Sequence, residues 1–232
     1  MSVEVRTVAW SGFRPERLLS LLSPDEQARA GRLTKGSARA RFVIARGLLR
    51  QLVGERLGLP PTDVGFDYSS TGKPRLAATL SADHPHVSVS HGERFGVIAL
   101  SRGAPLGVDV ETPPADRSAL RLAERFFTDA EATQLRRMPQ RDRPEAFAAM
   151  WTAKEALIKA HGETVPSALP RYEVRLEDDG SIGLASIQGD PGSVHDWQLE
   201  AVRLDKRHTA TVAVGDPNAE IRWLPLSGTA TV

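Results

Sequence analysis

The sequence predicts a mixed α+β fold from three observations. Two segments, 42–53 and 147–158, carry apolar residues at helical spacing, and shorter segments alternate apolar with polar residues as strands do. A turn at Gly103-Ala104-Pro105 separates a first part of the chain from a second. Each part combines a helical section with a hairpin, so we expect helices and antiparallel strands on both sides of this turn.

The composition is that of an ordinary globular protein. The 232 residues are 41% hydrophobic and 25% charged, and the net charge of +1 gives no general attraction to nucleic acid or to membranes. The absence of cysteine excludes disulfides and a thiolate nucleophile. No apolar run approaches the roughly 20 residues of a membrane span, and we see no signal-peptide pattern. We therefore expect a cytoplasmic protein in which any anion site is local.

The first helical section begins with clear start signals and is rich in arginine. Residues 3–10 read as a strand, after which Ser23 is placed to cap a helix, with Pro24 in its first position and Glu26 closing a capping box. Seven cations and no acid follow, at Arg29, Arg32, Lys35, Arg39, Arg41, Arg46 and Arg50. Two interpretations stay open, a solvated basic face and a site for an anion.

A turn and a hairpin carry the next polar residues. A short strand over 64–68 leads into Gly72-Lys73-Pro74, where the lysine either reaches a phosphate or is an ordinary exposed turn residue. Ser90 and His91 end the first strand of a hairpin over 87–90 and 97–100. Neighbouring residues of a strand point to opposite faces, so we reject a Ser-His nucleophile pair. A contact with phosphate and a simple turn histidine are the remaining interpretations.

A pair of acids follows the turn that divides the chain. Asp109 and Glu111 share one face of a predicted strand, while Val108 and Val110 occupy the other. Oxygen ligands of this kind suit Mg²⁺, which proteins usually hold through one or two carboxylates and substrate phosphates. The alternative is a half-buried strand that shows two acids to solvent. A helix over 116–125 and a second capping box, Thr128 to Glu131, come next.

The helix predicted over 144–161 concentrates its charge on a narrow stripe. Lys154 falls in the middle of its apolar face, where an isolated lysine is rarely found. Glu155 and Lys159 are four residues apart and therefore neighbours, and most of the other positions around them are alanines. Strands over 172–176, 182–184, 197–204 and 209–214 complete the expected structure, and we expect 223–232 to be a weakly ordered tail.

Together these residues form an inventory for magnesium-assisted chemistry on a polyphosphate ester. Three carboxylates, at Asp109, Glu111 and Glu155, accompany a lysine, a Gly-Lys-Pro turn and an arginine cluster. Two other classes stay open. A Mg²⁺-dependent hydrolase of a pyrophosphate-containing nucleotide would use the same carboxylates with water, and a nucleic-acid-binding module would depend on the cations of 29–50.

The residues of the motifs and their order along the chain resemble those of the 4′-phosphopantetheinyl transferases of the surfactin-synthetase-activating (Sfp) type. The similarity extends over most of the chain, and its two specific motifs are the Gly-Val-Asp-Val-Glu and Trp-Thr-Ala-Lys-Glu-Ala segments. The matching stretches are Gly72-Lys73-Pro74, 87–91, 107–111, 126–128 with Glu131, and 151–156 with Lys159.

The resemblance implies a pseudo-dimeric α+β fold of two similar halves, 1–103 and 104–232, with coenzyme A and Mg²⁺ between them. It implies transfer of the phosphopantetheine arm of coenzyme A to a serine of apo acyl or peptidyl carrier proteins, and we expect a monomer. The first half would contact the coenzyme and the second would carry the metal-binding carboxylates. The segment 113–127 is a candidate surface for docking of the carrier.

The resemblance also implies roles for individual residues. Asp109, Glu111 and Glu155 would hold Mg²⁺, with Glu155, Lys159 and Asp109 catalytic and Glu155 the base for the incoming serine. Contacts with the coenzyme would come from Arg46, Arg41, Gly72, Lys73, Pro74, Ser90, His91, Lys154 and Lys159, with Arg29 a further candidate. One departure concerns the 3′-phosphate, because Glu26 stands where some members carry a phosphate-binding lysine.

Overall fold

A computed structural model describes residues 1–69, 73–77, 85–164, 167–189 and 194–226, with the backbone alone at 116–117. The helices are α1 (Pro15–Leu18), α2 (Pro24–Gly31), α3 (Gly36–Leu57), α4 (Asp116–Phe126), α5 (Asp129–Arg137) and α6 (Arg143–His161). The strands are β1 (Ser2–Ala9), β2 (Phe66–Tyr68), β3 (Pro74–Leu76), β4 (Pro85–His91), β5 (Phe95–Arg102), β6 (Leu106–Glu111), β7 (Tyr172–Leu176), β8 (Ile182–Ile187), β9 (Gln198–Arg203), β10 (Thr209–Val214) and β11 (Glu220–Leu226).

The predicted α+β class is confirmed, and the same strand order occurs on both sides of the turn at 103–105. One sheet has the order β11-β1-β5-β4 and the other has the order β6-β10-β9, with antiparallel pairing among β1, β5 and β4 and among β6, β10 and β9. A long helix, α3 or α6, follows the first strand of each set, and a two-stranded sheet, β2-β3 or β7-β8, follows that helix.

Local signals in the sequence fix the helix ends. Both predicted capping boxes are present, because Ser23 and Thr128 exchange hydrogen bonds with Glu26 and Glu131 three residues later. The two long helices both end at a glycine with positive φ, Gly58 at 67° and Gly162 at 76°. A left-handed residue at this position favours glycine, so the chain leaves α3 and α6 in the same way.

A close approach of α6 to β6 positions the site. A Cβ atom on Gly107 would lie only 1.9 Å from the carbonyl oxygen of Ala156, so only glycine allows this crossing. Strand β4 lies beside β6, and the Ser88 hydroxyl accepts a hydrogen bond from the backbone N–H of Val108 at 3.1 Å. The polar ends of β4, β6 and α6 therefore meet between the two sheets.

The C-terminal segment corrects one prediction. Residues 223–226 are the end of β11 rather than a weakly ordered tail, while 227–232 lie outside the described residues. Strand β11 pairs in parallel with β1, and Ile221 and Trp223 pack against the apolar layer between the sheets. The Trp223 indole N–H donates to Glu200 at 2.8 Å. As an edge strand, β11 accommodates Pro225, which masks the strand in the sequence.

Apolar residues form three clusters, around α3, around α6 and between the two main sheets.

Of the helices in the described residues, none combines the length and apolarity that a membrane span requires.

Candidate active site

Three carboxylates from two elements converge in a cleft. Asp109 and Glu111 project from one face of β6, and Glu155 comes from α6, so that one oxygen of each lies within 4.8 Å of the others. Asp109 is buried, Glu155 is half-buried and Glu111 is exposed. The helix thus completes a set of oxygen ligands that the strand alone provides only in part.

The two oxygens of Asp109 have different surroundings. Its Oδ1 accepts hydrogen bonds from the Ser90 hydroxyl at 2.7 Å and from Nζ of Lys159 at 2.6 Å. Its Oδ2 is buried and has no donor among the described residues. A buried carboxylate oxygen without a partner is costly, and a hard cation satisfies it. This orphaned oxygen, together with the all-oxygen ligand set, fits a divalent ion such as Mg²⁺.

Loss of water, followed by repulsion from neighbouring carboxylates, raises the pKa values of Glu111 and Glu155. Although Glu111 is exposed as a residue, its carboxyl group is partly desolvated in the cleft, and this loss of water, followed by the negative charges of Asp109 and Glu155, raises its pKa to about 7. Burial and the charge of Asp109 also raise the pKa of Glu155, whose Oε1 accepts the Trp151 indole N–H at 2.8 Å. Loss of water disfavours the Lys159 ammonium, but Asp109 and Glu155 outweigh it, and the net pKa of Lys159 is raised. The cluster carries excess negative charge that one lysine offsets only in part.

The carboxylates line a cavity of about 520 Å³ that extends into the first half of the chain. Its walls combine the three acids and Lys159 of the second half with cations of the first half. The predicted site residues that line it are Arg46, Lys73, Pro74, Ser90, His91, Asp109, Glu111, Glu155 and Lys159, together with the further candidate Arg29. Gly72 lies outside the described residues.

Arg46 brings a buried, unpaired positive charge to this cavity. Its side chain is 5% exposed, and Nε and Nη1 have no hydrogen-bond acceptor among the described residues. The guanidinium lies against the rings of Phe42 and Tyr68, at 5.6 and 5.2 Å from their centroids. Burial lowers its pKa, as expected for a charge without a partner. An anion in the cavity would compensate this charge.

Lys73 connects the two halves. Its ammonium donates to the carbonyl of Leu106 at 3.0 Å and to the carbonyl of Lys159, at the end of α6. Burial, and then the charges of Arg75 and Lys159, lower its pKa to about 8. Lys73 is therefore held by backbone groups of the second half and also lines the cavity, and these two bonds use two of the three N–H groups of its ammonium.

The predicted separation of Ser90 from His91 holds in the structure. The Ser90 hydroxyl donates to Asp109, whereas the exposed His91 ring stacks on Trp10 with centroids 6.0 Å apart. Partial desolvation and the charge of Arg46 lower the pKa of His91. Arg41 does not line the cavity and instead donates to the carbonyls of Gly92 and Glu93 at 3.5 and 3.2 Å.

The placement of Lys154 argues against the predicted contact with the coenzyme. Its side chain is fully buried, and Nζ donates to both oxygens of Glu131 at 2.6 Å and to the carbonyl of Tyr172. It lies outside the residues that line the cavity. The buried position that the helical pattern predicted thus places Lys154 in an ion pair with Glu131 of the second capping box.

Two residues that support the site were missed. The helical pattern predicts only that Trp151 lies on the apolar face of α6. Trp151 precedes Glu155 by four residues, and this spacing allows its indole N–H to donate to the Glu155 carboxylate. Tyr68 was assigned only to a strand, yet its hydroxyl donates to Oε1 of Glu26 at 2.8 Å. Glu26 also accepts from Nε of Arg50 at 2.7 Å, so its charge is neutralised locally. No local pattern indicates either partner of Glu26.

Comparisons with known families match both halves of the chain. The model described as the 4′-phosphopantetheinyl transferase superfamily matches residues 105–213, and the model described as 4′-phosphopantetheinyl transferase, N-terminal, matches residues 9–102. These two matches adjoin at the turn that separates β5 from β6.

Curated relatives match over most of their length. The chain is 34% identical to the 4′-phosphopantetheinyl transferase HetI of a Nostoc species, over 90% of this chain and 83% of the relative. It is 26% identical to the 4′-phosphopantetheinyl transferase Sfp of Bacillus subtilis, over 88% of this chain and 86% of the relative.

Solved structures match about half of the chain. A holo-(acyl-carrier-protein) synthase from Bacillus anthracis, crystallised in complex with CoA (3′,5′-ADP), is 20% identical, with a TM-score of 0.37 over 47% of this chain and 93% of the other. At this score the likeness carries no argument about the site.

Proposed function

The chain belongs to the 4′-phosphopantetheinyl transferase superfamily, and from this premise we propose the reaction that its cleft performs. It transfers the 4′-phosphopantetheine arm of coenzyme A to a serine hydroxyl of an apo acyl or peptidyl carrier protein and releases adenosine 3′,5′-bisphosphate. The observation that carries the proposal is one cavity lined both by the carboxylate triad and by Arg46, whose Nε and Nη1 have no acceptor among the described residues.

The triad is the proposed magnesium site. Asp109, Glu111 and Glu155 would hold Mg²⁺, with the orphaned Oδ2 of Asp109 as one ligand atom. When bound, the ion neutralises charge on the pyrophosphate of coenzyme A and withdraws electron density from its phosphorus atoms. The hydrogen bonds of Ser90 and Lys159 to Oδ1 hold Asp109 in place and leave Oδ2 without a donor among the described residues, so that Oδ2 would be available to the ion.

The side chains around the triad then serve the transfer itself. The serine oxygen of the carrier forms a bond to the phosphorus that bears the pantetheine, and the pyrophosphate P–O bond breaks, leaving its electron pair on the 5′-phosphate of the nucleotide. Glu155, whose raised pKa makes it a better proton acceptor, takes the hydroxyl proton. The Lys159 ammonium, which stays charged, stabilises the negative charge that develops on the leaving phosphate.

Cations of the first half would bind the rest of the coenzyme. Arg46 and Arg29 are the proposed ligands of the 3′-phosphate, since both line the cavity and both guanidinium groups lie against Phe42. Lys73 and His91 would contact phosphate oxygens closer to the triad. Because both walls of the cavity come from one chain, we propose that a single copy is active. We further propose that it acts in the cytoplasm.

The proposal is tested with an apo carrier protein, coenzyme A and Mg²⁺, and the mass of the carrier is read by mass spectrometry. The expected result is the addition of one phosphopantetheinyl group, which Glu155→Gln and Asp109→Ala nearly abolish. Glu145→Gln is the matched control, because this exposed acid lies on the same helix and forms a surface ion pair with Arg203, away from the cleft. An unmodified carrier with the parent enzyme would contradict the proposal.

Omitting the carrier separates transfer from hydrolysis. A transferase leaves coenzyme A intact without an acceptor serine, whereas a hydrolase releases adenosine 3′,5′-bisphosphate by using water. Release of that nucleotide at the same rate with and without the carrier would favour the hydrolase.

A further inference from the structure

The buried guanidinium of Arg46 has a carboxylate close by but does not pair with it. Glu26 lies near enough for its charge to act on Arg46, yet Nε and Nη1 of Arg46 have no acceptor in the part of the chain that the structure describes. Buried opposite charges normally pair, because an uncompensated buried charge costs several kcal/mol. Something therefore keeps Glu26 from Arg46.

The carboxylate of Glu26 is fully engaged elsewhere. Oε2 accepts from Nε of Arg50 at 2.7 Å and from the backbone N–H of Ser23 at 3.1 Å, while Oε1 accepts from the Tyr68 hydroxyl at 2.8 Å. Arg50 in turn donates to the carbonyl of Val64 at 2.8 Å, so it is fixed. Of these partners, only Tyr68 also contacts Arg46, through its ring at 5.2 Å from the guanidinium.

The ring and the hydroxyl of Tyr68 act on different residues, the ring on Arg46 and the hydroxyl on Glu26. The Tyr68 ring lies 5.2 Å from the guanidinium carbon of Arg46 and the Phe42 ring lies 5.6 Å from it, distances at which a cation is attracted to an aromatic ring. The hydroxyl donates to Oε1 of Glu26, the oxygen that neither Arg50 nor Ser23 uses. Burial raises the pKa of Tyr68 to about 12, so the hydroxyl remains a donor at neutral pH.

We propose that Tyr68 is a positioning residue for substrate recognition: by engaging Glu26 and stacking on Arg46, it keeps the arginine available to a phosphomonoester of the nucleotide. The inference rests on the proposed function, in which that phosphomonoester is the 3′-phosphate of coenzyme A. It also explains how Glu26 is compatible with an anion site, since Arg50 neutralises its charge and Tyr68 donates a hydrogen bond to its other oxygen.

Binding of two nucleotides tests this inference. Adenosine 3′,5′-bisphosphate carries the 3′-phosphate and adenosine 5′-monophosphate lacks it, and calorimetry gives the affinity of each. Tyr68→Phe keeps the ring but frees Oε1 of Glu26 for Arg46. We expect about a tenfold loss of affinity for the bisphosphate, the effect of one charge-assisted hydrogen bond, and an unchanged affinity for the monophosphate. Adding Glu26→Gln to this variant removes the competing charge and should recover part of the loss.

Controls separate positioning from folding. Trp223→Phe also removes an aromatic donor from a carboxylate at 2.8 Å, but on β11, and should leave both affinities unchanged. Tyr68 is 40% exposed, so the phenylalanine variant is expected to fold, which a thermal melt verifies. Equal loss for both nucleotides, no loss for either, or no recovery in the double variant would overturn the inference.

Transfer assays with coenzyme A and 3′-dephospho-coenzyme A keep the two proposals apart. If Tyr68→Phe raises KM only for coenzyme A and leaves kcat unchanged, the positioning role is supported. If the parent protein transfers from neither compound, the proposed function fails, and the nucleotide affinities still decide the role of Tyr68.

Discussion

Lys159 donates to only one oxygen of Asp109. Its Nζ lies 2.6 Å from Oδ1, while Oδ2 is buried and without a donor among the described residues. The same ammonium lies 3.7 Å from Glu155, so one lysine spans two of the three acids. The carboxylate is thereby oriented without being fully neutralised, which is the arrangement that a divalent cation needs.

Replacing Lys159 tests this arrangement. Lys159→Gln removes the positive charge beside the leaving phosphate and the donor that orients Asp109. We expect kcat for carrier modification to fall about 100-fold, as for loss of one preorganised electrostatic group. The measurement is the initial rate of carrier modification at saturating Mg²⁺. Lys206→Gln, in the exposed turn between β9 and β10, is the matched control, and an equal rate for both variants would exclude Lys159 from catalysis.

The raised pKa of Glu111 predicts how stability depends on pH in the absence of metal. The folded-state pKa of about 7 lies above the ordinary value of 4.5, so folding favours the protonated form. The stabilisation is complete below pH 4.5 and is lost as pH rises through 7. With EDTA present, Glu111→Gln should therefore raise the melting temperature at pH 8 by about 2 °C and change it little at pH 5.

Magnesium should reverse this dependence of stability on pH, since the ion compensates the negative charge of the carboxylates that a proton on Glu111 otherwise reduces. The parent protein is expected to gain more thermal stability from Mg²⁺ at pH 8 than at pH 6, and Glu111→Gln should gain less than the parent at pH 8. Identical melting curves for parent and variant at every pH, with and without Mg²⁺, would show that the three carboxylates do not interact as described.

Short-range physical signals were enough to predict most of the elements. The capping boxes at Ser23 and Thr128 depend on residues three positions apart, and the alternation of apolar and polar residues along β4 and β6 assigns their faces. The proximity of Asp109 and Glu111 follows from the strand period alone. Their meeting with Glu155 was inferred from the charge stripe of α6 and from family resemblance, and the structure supplies the crossing at Gly107 that brings it about.

Partners distant in sequence account for what was missed. Lys154 was predicted at a buried position, but its partner Glu131 is 23 residues away, and nothing in the helical pattern names it. The pairing of β11 with β1 joins segments from opposite ends of the chain. Arg46 was one of seven cations in its segment, and only the packing of Phe42 and Tyr68 around it distinguishes it from the exposed ones.

The buried Lys154 predicts a stability defect rather than a catalytic one. Lys154→Met leaves the carboxylate of Glu131 uncompensated in the core, which costs about 3–5 kcal/mol in the free energy of unfolding. Because the side chain does not line the cavity, kcat of the folded variant should stay within about threefold of the parent, as expected of a residue away from the reacting atoms. Urea denaturation and carrier-modification rates at low temperature measure the two effects. A large loss of kcat with normal stability would restore a role for Lys154 in the site.

The strand β11 gives a test within one element, since its side chains alternate between two faces. Trp223 is half-buried against the layer between the sheets and donates to Glu200, whereas its neighbour Leu224 is 37% exposed. Trp223→Ala should lower the free energy of unfolding by about 1–3 kcal/mol, through lost packing and one lost hydrogen bond. Leu224→Ala should change it by less than about 0.5 kcal/mol.

The comparison of these two variants in urea distinguishes a paired strand from a tail. A weakly ordered segment would tolerate both substitutions equally, because neither side chain would have a fixed environment to lose. A paired strand requires a difference that follows the alternation of its faces. Since β1, its partner, also pairs with β5, unfolding of β11 would expose an edge of the sheet that carries β4 and hence Ser90. As temperature rises, β11 of the Trp223→Ala variant should therefore unfold before the cleft loses its structure.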